Sequence, residues 1–287
     1  MESGLEDLLG LLKLERLELN LFRGESRDIG SPQVFGGQVL GQALSAAAQT
    51  IENRVVHSLH SYFLRPGDMN APIVYDVDRS RDGGSFSSRR VVAIQHGRPI
   101  FNLAASFHKE ETGFEHQISM PVVPEPEKLK PLAAYEPDVL EKVPNKIRRY
   151  LAFKSPFEFR HTETPDIISP TPKPANQSIW FRLREKIPRD YDLHRVLLAY
   201  VSDFNLLTTA TLPHQVSYTD GNLQMASLDH AMWFHREPLV DEWLLYVCDS
   251  PSASGARGFC RGSVFNDEGV LVASTAQEGL IRIRDSR

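Results

Sequence analysis

The apolar positions of this chain fall into three rhythms, and each predicts a different kind of element. Near the start, Leu5, Leu8, Leu9 and Leu12 recur at helical spacing, which predicts a short amphipathic helix. Two later stretches, "GGQVLGQALSAAAQTI" from Gly36 and "RVLLAYVSDFNLLTTA" from Arg195, are apolar nearly all round. Both predict helices buried on every side rather than packed along one stripe. Each precedes segments such as "PIVYDVD" and "EWLLYVCD", rich in β-branched and aromatic residues, with "DGGS" and "NDEG" supplying turns between such runs.

The rhythm repeats. The segment from His57 ("HSLHSYFLRPGD", then "PIVYDVDRSRDGGSFSSRRVVAIQHGRPIFNLAASF") aligns in outline with that from Ala226 ("ASLDHAMWFHREP", then "EWLLYVCDSPSASGARGFCRGSVFNDEGVLVASTAQ"). Ser58-Leu59 falls on Ser227-Leu228, the turn His96-Gly97 on Glu268-Gly269, and Ala104-Ala105 on Ala276-Gln277. Each half is expected to be a long antiparallel meander preceded by a buried helix. Taken twice, that predicts an α+β double hotdog, two antiparallel sheets each wrapping a helix in one continuous unit. Between the halves, Met120 to Pro174 holds 11 of the 19 prolines and reads as a surface crossover, with a short helix near "DVLEKVPNKIRRYL". The expected division is 1–115 for the first hotdog, 116–178 for the crossover and 179–287 for the second.

Composition narrows the function classes. A net charge of −5 gives none of the basic footprint of a nucleic-acid binder. No apolar run approaches a membrane span, and Glu2, Glu6 and Asp7 break the leucine-rich start in a way a secretory signal would not. The ending "IRIRDSR" is no peroxisomal address of the Ser-Lys-Leu type, and a cytoplasmic protein is expected. Cys248 and Cys260 lie in strand-like runs; a cross-strand disulfide is conceivable, but two reduced thiols are the expectation. With no H-E-x-x-H and no paired-cysteine cluster, neither metal nor cofactor is expected.

Three residues in "LQMASLDHAMWFH" draw attention: Ser227, Asp229 and His230. On an alternating strand, Ser227, Asp229, Ala231 and Trp233 share one face and Leu228, His230, Met232 and Phe234 the other. Asp229 and His230 then point apart and form no dyad. No G-x-S-x-G elbow accompanies any serine, and Ser85 belongs to a hairpin turn. Asp203, flanked by apolar residues, is either a working carboxylate or one tied into a structural network. Gln277 interrupts the last strand and reads either as a site amide or as an exposed side chain. The helix start at Gly36-Gly37 offers free N–H groups to a carbonyl or phosphate oxygen.

The motifs "FRG", "VFGGQVLGQAL", "VHSLHSYFLRPGD", "SFSSRRVVAIQHG", "SDFNLL", "LDHAMWFHR", "SASGARGF" and "GVLVASTAQEGLIR" resemble the bacterial acyl-CoA thioesterase II family, from about Leu8 to Arg282. The resemblance implies hydrolysis of fatty acyl-CoA to free acid and CoA without a metal. It also implies an Asp–Thr/Ser–Gln constellation that positions water, falling on Asp203, Ser227 and Gln277, with serine where the bacterial form carries threonine. Asp203 is then expected as general base, Ser227 as the group fixing the water, and Gln277 as a donor to the water or oxyanion. With Ala105 where the second half has Gln277, one active centre per chain is expected. Gly37, His57, Arg65, Arg89 and Arg257 are the candidate substrate contacts, and Phe35, Phe63, Met225 and Trp233 the candidate walls of an acyl channel. The competing readings are a hotdog enoyl-CoA hydratase or dehydratase and a non-catalytic acyl-CoA-binding module. A homo-oligomer, dimer or tetramer, is expected because single sheets of this kind cover an edge or face against a mate.

Overall fold

A computed structural model describes residues 4–31, 33–131, 141, 143–145, 148–149, 153–163, 165–166, 169–216 and 222–284. The short helix expected near 138–151 lies largely outside them. The N-terminal leucines form helix α1 (Gly4–Leu12), which buries Leu5, Leu8, Leu11 and Leu12. The two all-apolar stretches form α2 (Gly36–Ala48) and α3 (Tyr191–Ser202). Every residue of α3 from His194 to Ser202 is buried. Asp190 caps its start by accepting from the N–H groups of Asp192 and Leu193.

The strands are β1 (Glu15–Glu18), β2 (Leu21–Gly24), β3 (Val55–Phe63), β4 (Ile73–Asp82), β5 (Phe86–Gln95), β6 (Arg98–His108), β7 (Phe157–His161), β8 (Asn176–Leu183), β9 (Leu223–Ser227), β10 (Asp229–Phe234), β11 (Leu244–Ser254), β12 (Arg257–Asn266) and β13 (Leu271–Ile283). They form one sheet in the order β1-β2-β4-β5-β6-β3-β10-β13-β12-β11-β8-β7, with β9 also on β13. The order is a palindrome about the antiparallel β3–β10 pair, which joins the halves into a double hotdog. It differs in two respects from the expected meanders. The first strand of each half pairs with the last, β3 with β6 and β10 with β13, rather than with the strand that follows it. Each half also extends by two outer strands, β2 and β1 in one and β8 and β7 in the other.

The two buried helices lie against each other because glycine permits it. A Cβ on Gly37 would stand 2.2 Å from the Tyr200 carbonyl oxygen, and one on Gly41 would stand 3.4 Å from that of Val196. α2 and α3 therefore share one apolar core with the inward face of the sheet from both halves. A smaller cluster of Trp180, Trp243, Leu245 and Phe265 lies apart from it, covered by Met120, Val123 and Leu129 of the crossover. Polar contacts hold that cover down. Trp180 Nε1 donates to the Pro124 carbonyl, Trp243 Nε1 to Glu127, and Arg160 to the Pro126 carbonyl while lying over the Trp243 ring. Among the described residues no helix is long and apolar enough to cross a membrane, and Cys248 and Cys260 are buried free thiols.

Candidate active site

Asp203 is the residue at which α3 stops: its backbone forms the C-cap, and the chain turns away through Asn205 in a left-handed conformation (φ 64°). Its carboxylate reaches towards β9 and β13. Gln277 Nε2 donates to Asp203 Oδ1 at 2.7 Å and to Ser227 Oγ at 3.1 Å, and Ser227 Oγ lies 3.5 Å from the same Oδ1. The three residues expected to work together are thus placed together, on a helix end and two strands.

The alternation expected through "SLDHAMWF" does not hold at its start. Ser227 pairs with Gly279 and Ala231 with Ala276, so four steps on one strand face three on the other. The extra residue is a bulge at Leu228, between β9 and β10. It reverses the parity and turns Ser227 to the face that Gln277 occupies. His230, Met232 and Phe234 are buried on that inner face too. The register also makes His60 and Ala231 counterparts, since they pair with each other and with Ala104 and Ala276. Ser58 therefore corresponds to Asp229, not to Ser227 as the order of residues had aligned them.

Asp229 and His230 do point apart. Asp229 Oδ1 accepts from the Glu278 N–H at 2.7 Å, an amide the bulge withdraws from the regular ladder. Burial pushes its carboxyl up from the usual range, against the pull of that hydrogen bond. His230 Nε2 instead meets Ser202 Oγ at 3.0 Å.

A cavity of about 690 Å³ opens beside this cluster, within the size range of small-molecule sites. Asp203 and Ser227 line it, while Gln277 stands behind them and is fully buried. Phe35, Phe63, Met225, Ile100 and Leu207 make apolar walls, and Gln33, Gln224, Arg65 and Arg284 add polar groups. Trp233 is not on the wall; it packs edge-on against His60. Gly36, at the start of α2, approaches so closely that a Cβ there would stand 2.7 Å from Asp203 Oδ2.

Of the five candidate substrate contacts, Arg65 alone lines this cavity. Gly37 is turned towards α3. His57 hydrogen-bonds Ser106 Oγ at 2.8 Å beside Phe86, and burial lowers its pKa. Arg257 pairs with Glu278 at 2.9 Å. Arg89 is buried, donating to Thr50 and to Asp82. Arg284, Gln224 and Leu207 are wall residues that sequence reading missed. No periodic signal marks them, because loop and strand ends are brought to the cavity only by folding.

Comparison with known proteins places this chain in a class. The family described as acyl-CoA thioesterase matches residues 154–280, and the acyl-CoA thioesterase N-terminal domain matches residues 23–108. The chain is 42% identical over 286 residues to acyl-CoA thioesterase 2 of Haemophilus influenzae, covering 99% of this chain and 100% of that one. It is 41% identical to acyl-coenzyme A thioesterase 8 of Homo sapiens, covering 96% and 88%. The crystal structure of acyl-CoA thioesterase II TesB2 from Mycobacterium marinum superposes with a TM-score of 0.79 at 42% identity, covering 97% and 99%. The protein is a thioester hydrolase of double-hotdog fold. More narrowly, the chain belongs to the acyl-CoA thioesterase family.

Proposed function

We propose that the chain hydrolyses fatty acyl-CoA of medium to long chain to free acid and CoA, by direct attack of water at Asp203, Ser227 and Gln277. The observation that carries the proposal is the sharing of one amide. Both N–H groups of Gln277 are taken up by Asp203 Oδ1 and Ser227 Oγ, which face the cavity. In this reading Gln277 is a bracket that orients the other two, rather than the donor to water or oxyanion that the family resemblance implies. Ser227 Oγ accepts from Gln277 and makes only a long donor contact, 3.5 Å, to Asp203 Oδ1, so its proton turns to the cavity when a stronger acceptor enters. Among the described residues no group donates to Asp203 Oδ2, which serves as the base.

The chemistry then balances. Water gives a proton to Asp203 as its oxygen bonds to the thioester carbonyl carbon, and the carbonyl electrons move onto oxygen. The Ser227 hydroxyl and the first N–H groups of α2 at Gly36 receive that charge. The intermediate collapses, the C–S bond breaks, and the departing thiolate takes the proton back from Asp203. The apolar walls receive the acyl chain, and Arg65, a cation on the cavity wall, is the contact proposed for the phosphate-bearing CoA.

Thiol release measured across acyl-CoAs of increasing length, with Asp203→Asn alongside, tests the reading. Each added methylene that meets an apolar wall should raise kcat/KM by about 0.8 kcal/mol, roughly fourfold, until the walls end. A flat profile, or near-normal turnover by the variant, overturns it. The hydratase reading gains no support, since Asp229 is occupied by the Glu278 amide and His230 by Ser202. A homo-oligomer in the cytoplasm completes the proposal. Tyr62 and Phe86 are exposed aromatics on the sheet that a mate would cover, and analytical ultracentrifugation reads the stoichiometry.

A further inference from the structure

Behind Asp203 lies a buried polar layer that the proposed reaction does not use. Ser202 Oγ donates to the Ala199 carbonyl at 2.9 Å, which occupies its only proton. Its oxygen must then accept from His230 Nε2, 3.0 Å away, and this fixes the proton of the imidazole on Nε2. The Ser202 carbonyl, part of the peptide that continues into Asp203, accepts from Tyr246 Oη at 3.1 Å. Tyr246 Oη in turn lies 2.7 Å from Thr275 Oγ1. Ser202, His230, Tyr246 and Thr275 are all at most 3% exposed. Gly262 leaves the room this needs, since a Cβ there would stand 2.2 Å from the Tyr246 ring. Strands β10, β11 and β13 thus grip the last residue of α3 by its side chain and its carbonyl at once.

The histidine is an expensive way to fill this position. Its Nδ1 is buried with no hydrogen-bond partner among the described residues, as is Oε1 of Gln277 on the same inner face. Met232, two residues on, fills that face with apolar bulk alone. Packing does not require a polar side chain here; donation to Ser202 does. Burial lowers the pKa of His230 and the nearby Asp203 opposes that shift, so the ring remains a neutral donor.

We propose that His230 is a positioning residue for Asp203, acting through Ser202 to fix the point at which α3 ends and the carboxylate begins. The proposal rests on the reading of Asp203 as the base. Its test is steady-state thiol release by His230→Leu, His230→Gln, Ser202→Ala and Asp203→Asn, with circular dichroism and melting curves for each. A displaced base should lower kcat about tenfold or more in His230→Leu, with KM within about twofold, because the acyl walls are untouched. His230→Gln, whose amide offers an N–H at the matching depth, should recover kcat to within about threefold of the parent. Ser202→Ala should match His230→Leu, and the double variant should fall no further than either. In an Asp203→Asn background His230→Leu should cost nothing more.

A folded His230→Leu with kcat within twofold of the parent overturns the inference, as does a folded His230→Gln that shows no recovery. If His230→Leu does not fold, Ser202→Ala decides alone, and a parental kcat there overturns it equally. Near-normal turnover by Asp203→Asn sinks the base assignment itself. An inactive Asp203→Asn beside a normal His230→Leu sinks only the role of His230.

Discussion

At the C-terminal end of α2 the sheet supplies a cation; at the same end of α3 the chain supplies an anion. Arg89, on β5, donates to Thr50 Oγ1 at 2.8 Å and to the Thr50 carbonyl at 3.1 Å, two residues beyond α2, and pairs with Asp82 at 2.8 Å. A positive charge there suits the negative end of the helix dipole. In the other half the ladder position of Arg89 is held by Cys260, opposite Gln277, where Arg89 stands opposite Ala105. No cation caps α3. Its end instead presents Asp203, against the dipole, with an amide to hold it. One end is used for packing, and the other carries the carboxylate we propose as the base, on the same frame. The choice is made by the side chains that meet the helix end rather than by the fold.

This contrast can be broken in order of expected effect on turnover. Asp203→Asn removes the proposed base and should lower kcat by about 10²–10⁴-fold, with an unchanged melting curve, as measured by thiol release. Gln277→Ala installs the residue the first half carries at this place. Losing hydrogen bonds to a charged group and to Ser227 should cost about 10–100-fold in kcat, and parental activity would mean that the bracket is dispensable. Gly36→Ala drives a methyl into Asp203 Oδ2 and should lower kcat about tenfold, with circular dichroism confirming that α2 persists. Arg89→Met, in the half without the site, should leave kcat within about twofold while costing about 2–4 kcal/mol in urea denaturation, because it strips a buried capping group of its partners. If that variant loses turnover instead of stability, the two halves are not separable in the way drawn here.

Much of this organisation was legible in the residues. Asp203 stood out because a carboxylate inside "VLLAYVSDFNLL" has to be accounted for, and the repeat made its half distinct from the first. The outer strands were not legible. β1 is exposed at every position, and β7 is five residues long within a proline-rich region, so neither shows the alternation that marks a half-buried strand. The arginines could not be sorted either. Arg65 lines the cavity, whereas Arg89 and Arg257 pair elsewhere, and the difference lies in register and depth rather than in neighbours along the chain. Roles for Ser227 and Gln277 came from family resemblance, since nothing local separates them from a polar residue on an exposed face.

The sequence by itself determined the two buried helices, the turns at His96-Gly97 and near Gly269, and the presence of a carboxylate where apolar residues surround it. These follow from side-chain periodicity and from backbone conformations that few residues tolerate, both of which act over a few positions. Only the tertiary structure decided that Ser227 faces Gln277. Strict alternation predicts the opposite relation to His230, and one extra residue at Leu228 reverses it. A bulge is set by how two distant strands settle against each other, and in this protein that pairing turns a serine from the outer face of a sheet to the wall of a cavity.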